Sequence, residues 1–138
     1  MPETDNLERL KSTYKAWNDS KGMDSLAWLD LMDDSFRLAS VGEQVKALSF
    51  AKPRKSKQDA VDYLMSLTRD WRMVHWTPQT YVSQGDHIAM FGTCAWANKA
   101  TGKIAEVTTA HLWRFKGSKA VEMQEVFDSA RAVAAATP

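Results

Sequence analysis

Apolar residues change period once along this chain, and the change divides it into two halves. From about Asp5 to Lys21, Leu7, Leu10, Tyr14 and Trp17 recur at helical spacing, and Gly22 is placed to end that helix. A second helix follows, with Asp24 as its N-cap and Leu26, Leu29, Leu31 and Met32 as its stripe up to Asp33 and Asp34. Phe36, Leu38 and Ser40 then alternate with Arg37, Ala39 and Val41, which predicts a short strand before a loop through Pro53. Ser56 opens a third helix. Asp59 completes an approximate capping box there, and Val61, Tyr63, Leu64, Leu67 and Trp71 supply the apolar stripe. Beyond Trp71 the period becomes that of a strand. Residues 73–84, 87–98, 104–116 and 119–128 read as strands, separated by Gly85-Asp86, by Lys99 to Lys103 and by Gly117-Ser118. The tail from Ala130 to Pro138 is Ala-rich and weakly specified, a frayed helix at most.

Helices first and a meander afterwards predict an α+β domain in which helices cover one face of a curved antiparallel sheet. In the strand H-I-A-M-F-G-T-C-A-W-A-N, Ile88, Met90, Cys94 and Trp96 share one face, while Ala89, Phe91, Thr93 and Ala95 share the other. Both faces are apolar, so both call for burial. The helices can cover only one of them. The simplest partner for the other is a second copy of the chain, giving a homodimer through the sheet.

Composition narrows the possibilities. At 138 residues the chain has the length of one domain, spanning 1–138 with a core over about 5–129 and a tail over 130–138. Basic and acidic residues number 18 and 17, and the basic ones are dispersed apart from Lys52, Arg54, Lys55 and Lys57, so nucleic acid is not an expected partner. The sole cysteine, Cys94, excludes an internal disulfide, and no His/Cys cluster has zinc-ligand spacing. The acidic, polar opening M-P-E-T-D-N-L-E-R-L is unlike a signal peptide, and no apolar run is long enough for a membrane span. A soluble cytoplasmic protein is the expectation. The 6 tryptophans are many for so small a core, which points to a cavity wall or a subunit contact for some of them.

The candidate chemistry lies in the hairpin from Val107 to Asp128. Alternation puts Val107, Thr109, His111, Trp113 and Phe115 on one face, and Val121, Met123, Glu125 and Phe127 on one face of the next run. If these are the same face of one sheet, a histidine and a carboxylate share an apolar enclosure, where each shifts the other's proton affinity. A bulge in the second strand would instead turn Glu125 out to solvent. His111 is open to two readings, a core histidine satisfied locally or a pocket residue. So is Tyr14, on the buried stripe of the first helix, whose hydroxyl needs a partner. One of His75 and Trp76 faces inward, with the phase blurred by Pro78. Trp17, Phe91, Thr93, Trp113, Met123 and Phe127 are the remaining candidate ligand contacts.

The order of elements, the opening Y-K-A-W-N-D-S-K-G-M-D-S-L-A-W-L-D-L-M-D-D-S-F, the turn in K-G-S-K-A-V and the run H-L-W-R-F ending in E-V-F-D resemble the SnoaL-like and ketosteroid-isomerase-like proteins of the nuclear transport factor 2-like superfamily. The resemblance covers about Leu7 to Asp128. It implies a cone-shaped, strongly curved sheet wrapped around the N-terminal helices, a deep pocket for an apolar small molecule, and commonly a dimer through the convex face. Residue by residue, it implies for Tyr14 the place of an oxyanion-hole tyrosine, and for His111 that of a hydrogen-bond-donating acid. The general-base aspartate of ketosteroid isomerases falls near Ala39, which cannot take a proton. Asp128 resembles the late acid/base aspartate of SnoaL-type cyclases. The implied activity is a cofactor-independent isomerase, cyclase or dehydratase working by proton transfer, with Tyr14, His111 and Asp128 as catalytic residues from the resemblance and Glu125 added from the inward face of the hairpin. The alternative is a noncatalytic ligand-binding or dimerisation domain, since the fold alone does not decide function.

Overall fold

The computed structural model describes residues 2–41, 45–48 and 54–138. Its elements are α1 (Pro2–Asp19), α2 (Leu26–Leu31), β1 (Met32–Ser40), α3 (Lys57–Asp70), β2 (Trp71–Gln84), β3 (His87–Asn98), β4 (Ile104–Lys116), β5 (Lys119–Phe127) and α4 (Ser129–Ala136). The chain leaves α1 through left-handed backbone at Lys21 and Gly22, and the Gly22 N–H donates to the Trp17 carbonyl at 2.9 Å. At α3 one half of the capping box forms, with Ser56 Oγ accepting from the Asp59 N–H, while the Asp59 carboxylate reaches past the cap to accept from the Lys55 N–H, each at 3.1 Å. Helix α2 is shorter than its stripe suggested, because Met32 is already extended and begins β1. The predicted loop through Pro53, with Lys52, lies partly outside the described residues.

The sheet order is β1-β5-β4-β3-β2. Strands β2 to β5 form the expected antiparallel meander, while β1 adds in parallel to the far edge of β5. That pairing joins Ser40 to Glu125 across the whole intervening chain. Irregularities curve the sheet: register shifts fall between Met73 and His75, between Pro78 and Thr80, and between Arg114 and Phe115. Gly92 sits opposite Pro78. A Cβ there would come within 2.4 Å of the Thr77 carbonyl oxygen, so the strands approach at this bulge as only glycine allows.

The concave face packs against α1, α2 and α3 around Leu10, Tyr14, Trp28, Phe36, Tyr63 and Trp113, all buried. The tail is better defined than its sequence suggested. Asp128 caps α4, Ala132 and Ala135 are buried against the sheet, and the Thr101 hydroxyl donates to the Ala135 carbonyl at 2.5 Å. The small side chains that made the tail look featureless let its backbone dock closely. On the convex face, registered rows place Val82, Ala89 and Leu112 together and Phe91, Ala110 and Val126 together. Phe91 is 49% exposed and Val126 53%. Among the described residues, no helix is long and apolar enough to cross a membrane.

Candidate functional site

His111 and Glu125 are register partners on β4 and β5, and both side chains point inward. The bulge that would have expelled Glu125 does exist, but it lies before Met123. Phe115 pairs with Ala120, so Ala120 takes the inward position expected of Val121, while Met123 and Glu125 keep theirs. His111 Nε2 lies 3.0 Å from Glu125 Oε2. The Ser40 hydroxyl donates to Glu125 Oε1 at 2.9 Å, and the Tyr63 hydroxyl donates to both carboxylate oxygens, at 2.8 and 3.0 Å. On the other side of the ring, the Tyr14 hydroxyl lies 2.5 Å from His111 Nδ1 and accepts from the Trp113 indole N–H at 2.9 Å.

Proton placement in this chain of groups follows from what each can do. Burial pushes the Glu125 carboxyl up, but the His111 contact and the Tyr63 and Ser40 hydrogen bonds outweigh it and hold it below its ordinary 4.5. An ionised carboxylate only accepts, so His111 Nε2 carries a proton. In a neutral imidazole Nδ1 is then a bare acceptor, and the Tyr14 O–H donates to it. Burial, with smaller contributions from Tyr81 and Glu125, raises the Tyr14 hydroxyl well above the usual phenol range against the opposing Trp113 bond, so Tyr14 keeps its proton. Burial and the nearby carboxylate do the same to Tyr63. The Cys94 thiol is pushed up to about 12 by burial and by Glu125, which leaves it a poor nucleophile.

Tyr14, Tyr63, His111, Trp113 and Glu125 line a cavity of about 80 Å³ whose other walls are apolar apart from Thr109, among them Trp17, Trp28, Leu38, Leu67, Trp76, Cys94, Trp96, Met123 and Phe127. Trp28 stacks on Trp113 with centroids 5.4 Å apart and planes at 3°, and Trp76 stacks on Tyr14 at 6.1 Å and 7°. The indole N–H groups of Trp28 and Trp76 are buried without an acceptor among the described residues. Each such donor costs about 1–3 kcal/mol.

Most of the candidates converge here, and four do not. Trp17, Trp76, Trp113, Met123 and Phe127 line the cavity together with Tyr14, His111 and Glu125. Phe91 and Thr93 face the convex side, as their alternation with Met90 and Cys94 requires. The irregularity after Met73 pairs Trp76 with inward Cys94 and leaves His75 opposite Ala95, hydrogen-bonded to Thr77 instead. Asp128 is a helix cap. Its carboxylate accepts from the Arg131 N–H at 3.1 Å and pairs with the Arg131 side chain at 3.2 Å, away from the cavity. Ala39 is exposed, and it is its neighbour Ser40 that turns inward to Glu125. Three contributors were not singled out from the sequence: Ser40, Tyr63 and Trp28. Tyr63 could have been found as a polar group on the buried stripe of α3, and Ser40 as the polar member of an inward strand face. Among the described residues, no cluster of three or more His, Cys, Asp or Glu is placed to hold a metal ion.

No family model and no curated protein matches this sequence. Solved structures do. A nuclear transport factor 2-like protein from Burkholderia xenovorans aligns over 99% of each chain with a TM-score of 0.81 at 17% identity. A protein described as a SnoaL-like polyketide cyclase, from a Jannaschia species, aligns over 99% of this chain and 95% of its own, with a TM-score of 0.78 at 16% identity. TerC, co-crystallised with polyporic acid, aligns over 95% and 97% with a TM-score of 0.77 at 19% identity. At these identities the likeness shows the fold: the chain adopts the nuclear transport factor 2-like cone.

The Glu125 carboxyl gives stability a defined acid dependence. It is held below 4.5 in the folded chain and returns toward that value on unfolding, so in the window between them the unfolded chain binds the extra proton. This contribution is full above 4.5 and disappears as pH falls through the folded value. Urea unfolding measured from neutral to acid pH is expected to show that loss, and Glu125→Gln to flatten it. An identical acid slope in the variant would exclude Glu125 as its source.

Proposed function

We propose that this chain binds a small, largely apolar carbonyl or hydroxy compound and moves a proton on it without a metal or organic cofactor, as an isomerase, cyclase or dehydratase does. The observation that carries this reading is the buried chain of Tyr14, His111 and Glu125 in an otherwise apolar cavity. A packing role alone would not need an ionised group there. The neighbours described as a polyketide cyclase and crystallised with polyporic acid support a small-molecule reading.

Both His111 nitrogens are engaged, so Tyr14 is the member of the chain that meets the substrate. A proton leaving the carbon beside a carbonyl passes to the Tyr14 oxygen while Tyr14's own proton moves to His111 Nδ1. The C–H electron pair stays on the substrate as an enolate, and the new imidazolium faces the Glu125 carboxylate. Returning the proton at another carbon reverses each transfer and completes an isomerisation. Because burial disfavours the Tyr14 phenolate, the two transfers on that oxygen are concerted. Ser40 and Tyr63 hold the carboxylate ionised for the imidazolium step. One observation favours a second reading, binding without catalysis: in this arrangement the polar chain is fully satisfied by its own members.

Hydrogen–deuterium exchange at the α-carbon of aryl ketones such as 1-indanone, followed by NMR in deuterated buffer, separates the two. Exchange above the buffer rate is expected, with Tyr14→Phe, His111→Ala and Glu125→Gln each lowering it by at least about tenfold in variants that remain folded. Unchanged rates in all three variants would sink the catalytic reading. A ketone that binds but exchanges no faster than in buffer would favour the binding-only one.

We also propose a homodimer through the convex face, supported by the exposed rows that include Phe91, Leu112 and Val126, and a cytoplasmic setting in which Cys94 stays a thiol. Sedimentation is expected to give a dimer that Phe91→Asp with Val126→Asp converts to monomer. A monomeric wild-type chain at tens of micromolar, roughly the range where a standard interface is saturated, would contradict the dimer.

A further inference from the structure

The wall of the cavity holds polar groups that the proton chain does not use. Trp28 and Trp76 both line it, both are buried, and neither indole N–H meets an acceptor among the described residues. Trp113, a third indole lining the cavity, donates to Tyr14. The fold thus supplies an acceptor for the indole that orients Tyr14 and, among the described residues, none for the other two. Buried donors without partners are rare enough to call for a reason, and a phenylalanine would pack at either position without incurring the loss.

We propose that the Trp28 and Trp76 indole N–H groups form a ligand subsite that takes acceptor oxygens of an uncharged, planar, carbonyl-bearing molecule. This deepens the reading of the cavity given above and rests on it. The lack of charge follows from the lining, in which the ionised group is the Glu125 carboxylate and no Lys or Arg appears. An anionic ligand would lose its hydration there and meet like charge. A carbonyl fits better than a hydroxyl. An indole N–H only donates, and a carbonyl oxygen meets it without bringing a proton that needs an acceptor of its own. Planarity follows from the walls, which are largely flat rings in near-parallel pairs, Trp28 with Trp113 and Trp76 with Tyr14. Trp76 also stacks on His111 at 5.4 Å, so an oxygen held by it lies beside the proton chain.

The test compares 1-indanone with indane, which has the same ring frame without the oxygen. Proton–nitrogen NMR resolves the 6 tryptophan indoles, and Trp28→Phe and Trp76→Phe assign two of them by loss of a signal. The expected result is that 1-indanone shifts the Trp28 and Trp76 signals downfield, leaves Trp113 in place, and binds about tenfold or more tightly than indane. The carbonyl stretch of bound 1-indanone, read by infrared on the wild-type protein, is expected to move to lower frequency, and this needs no variant to fold. Equal binding of the two compounds, with unmoved indole signals and an unshifted carbonyl, would overturn the subsite and leave the cavity reading standing. Failure of both compounds to bind would overturn both.

Discussion

A carboxylate removed from water costs several kcal/mol unless donors replace its hydration, and the way Glu125 is satisfied ties the fold together. Its donors come from three separate elements: Ser40 from β1, Tyr63 from α3 and His111 from β4. The parallel docking of β1, the seating of α3 on the concave face and the β4–β5 register must all be right at once for that carboxylate to be buried. His111 extends the same demand to α1, because its second nitrogen needs Tyr14, and Tyr14 in turn takes the Trp113 indole. One buried charge thus specifies how helices and sheet meet in a cavity whose aromatic walls would otherwise tolerate several packings.

The same arrangement suits the proton transfer proposed for the site. Apolar walls strengthen every electrostatic interaction inside them, and the carboxylate is fixed before any substrate arrives, so it need not reorganise when an imidazolium forms. The ordering of groups resembles the hydroxyl, histidine and carboxylate series of acyl-transfer enzymes, with a tyrosine where those have the serine that attacks carbon. Cys94 is kept protonated by burial and, to a smaller degree, by the nearby carboxylate, and does not compete.

Much of this was written in the alternation of residues. The meander, the helix that Ser56 caps and the inward face shared by His111 and Met123 all follow from local period and local chemistry. What the sequence withheld was non-local. Nothing in the run Phe36 to Val41 says that it pairs in parallel with β5, so Ser40 was not visible as a donor and attention fell on exposed Ala39. The irregularity after Met73 decides between His75 and Trp76, and bulge positions are set by curvature that a one-strand pattern does not contain. Asp128 matches the late aspartate of SnoaL-type cyclases in sequence, but here it is the N-cap of an alanine-rich helix whose weak pattern gave no sign of a cap.

The ionised Glu125 fixes the proton on His111, and Tyr14 donates to the opposite nitrogen. Long-range proton–nitrogen NMR of the histidine rings at mildly alkaline pH reads this directly. The arrangement predicts that neutral His111 carries its proton on Nε2, with Nδ1 a bare acceptor whose nitrogen shift moves when Tyr14 is changed to Phe. A His111 protonated on Nδ1, with Nε2 bare beside Glu125, would contradict it.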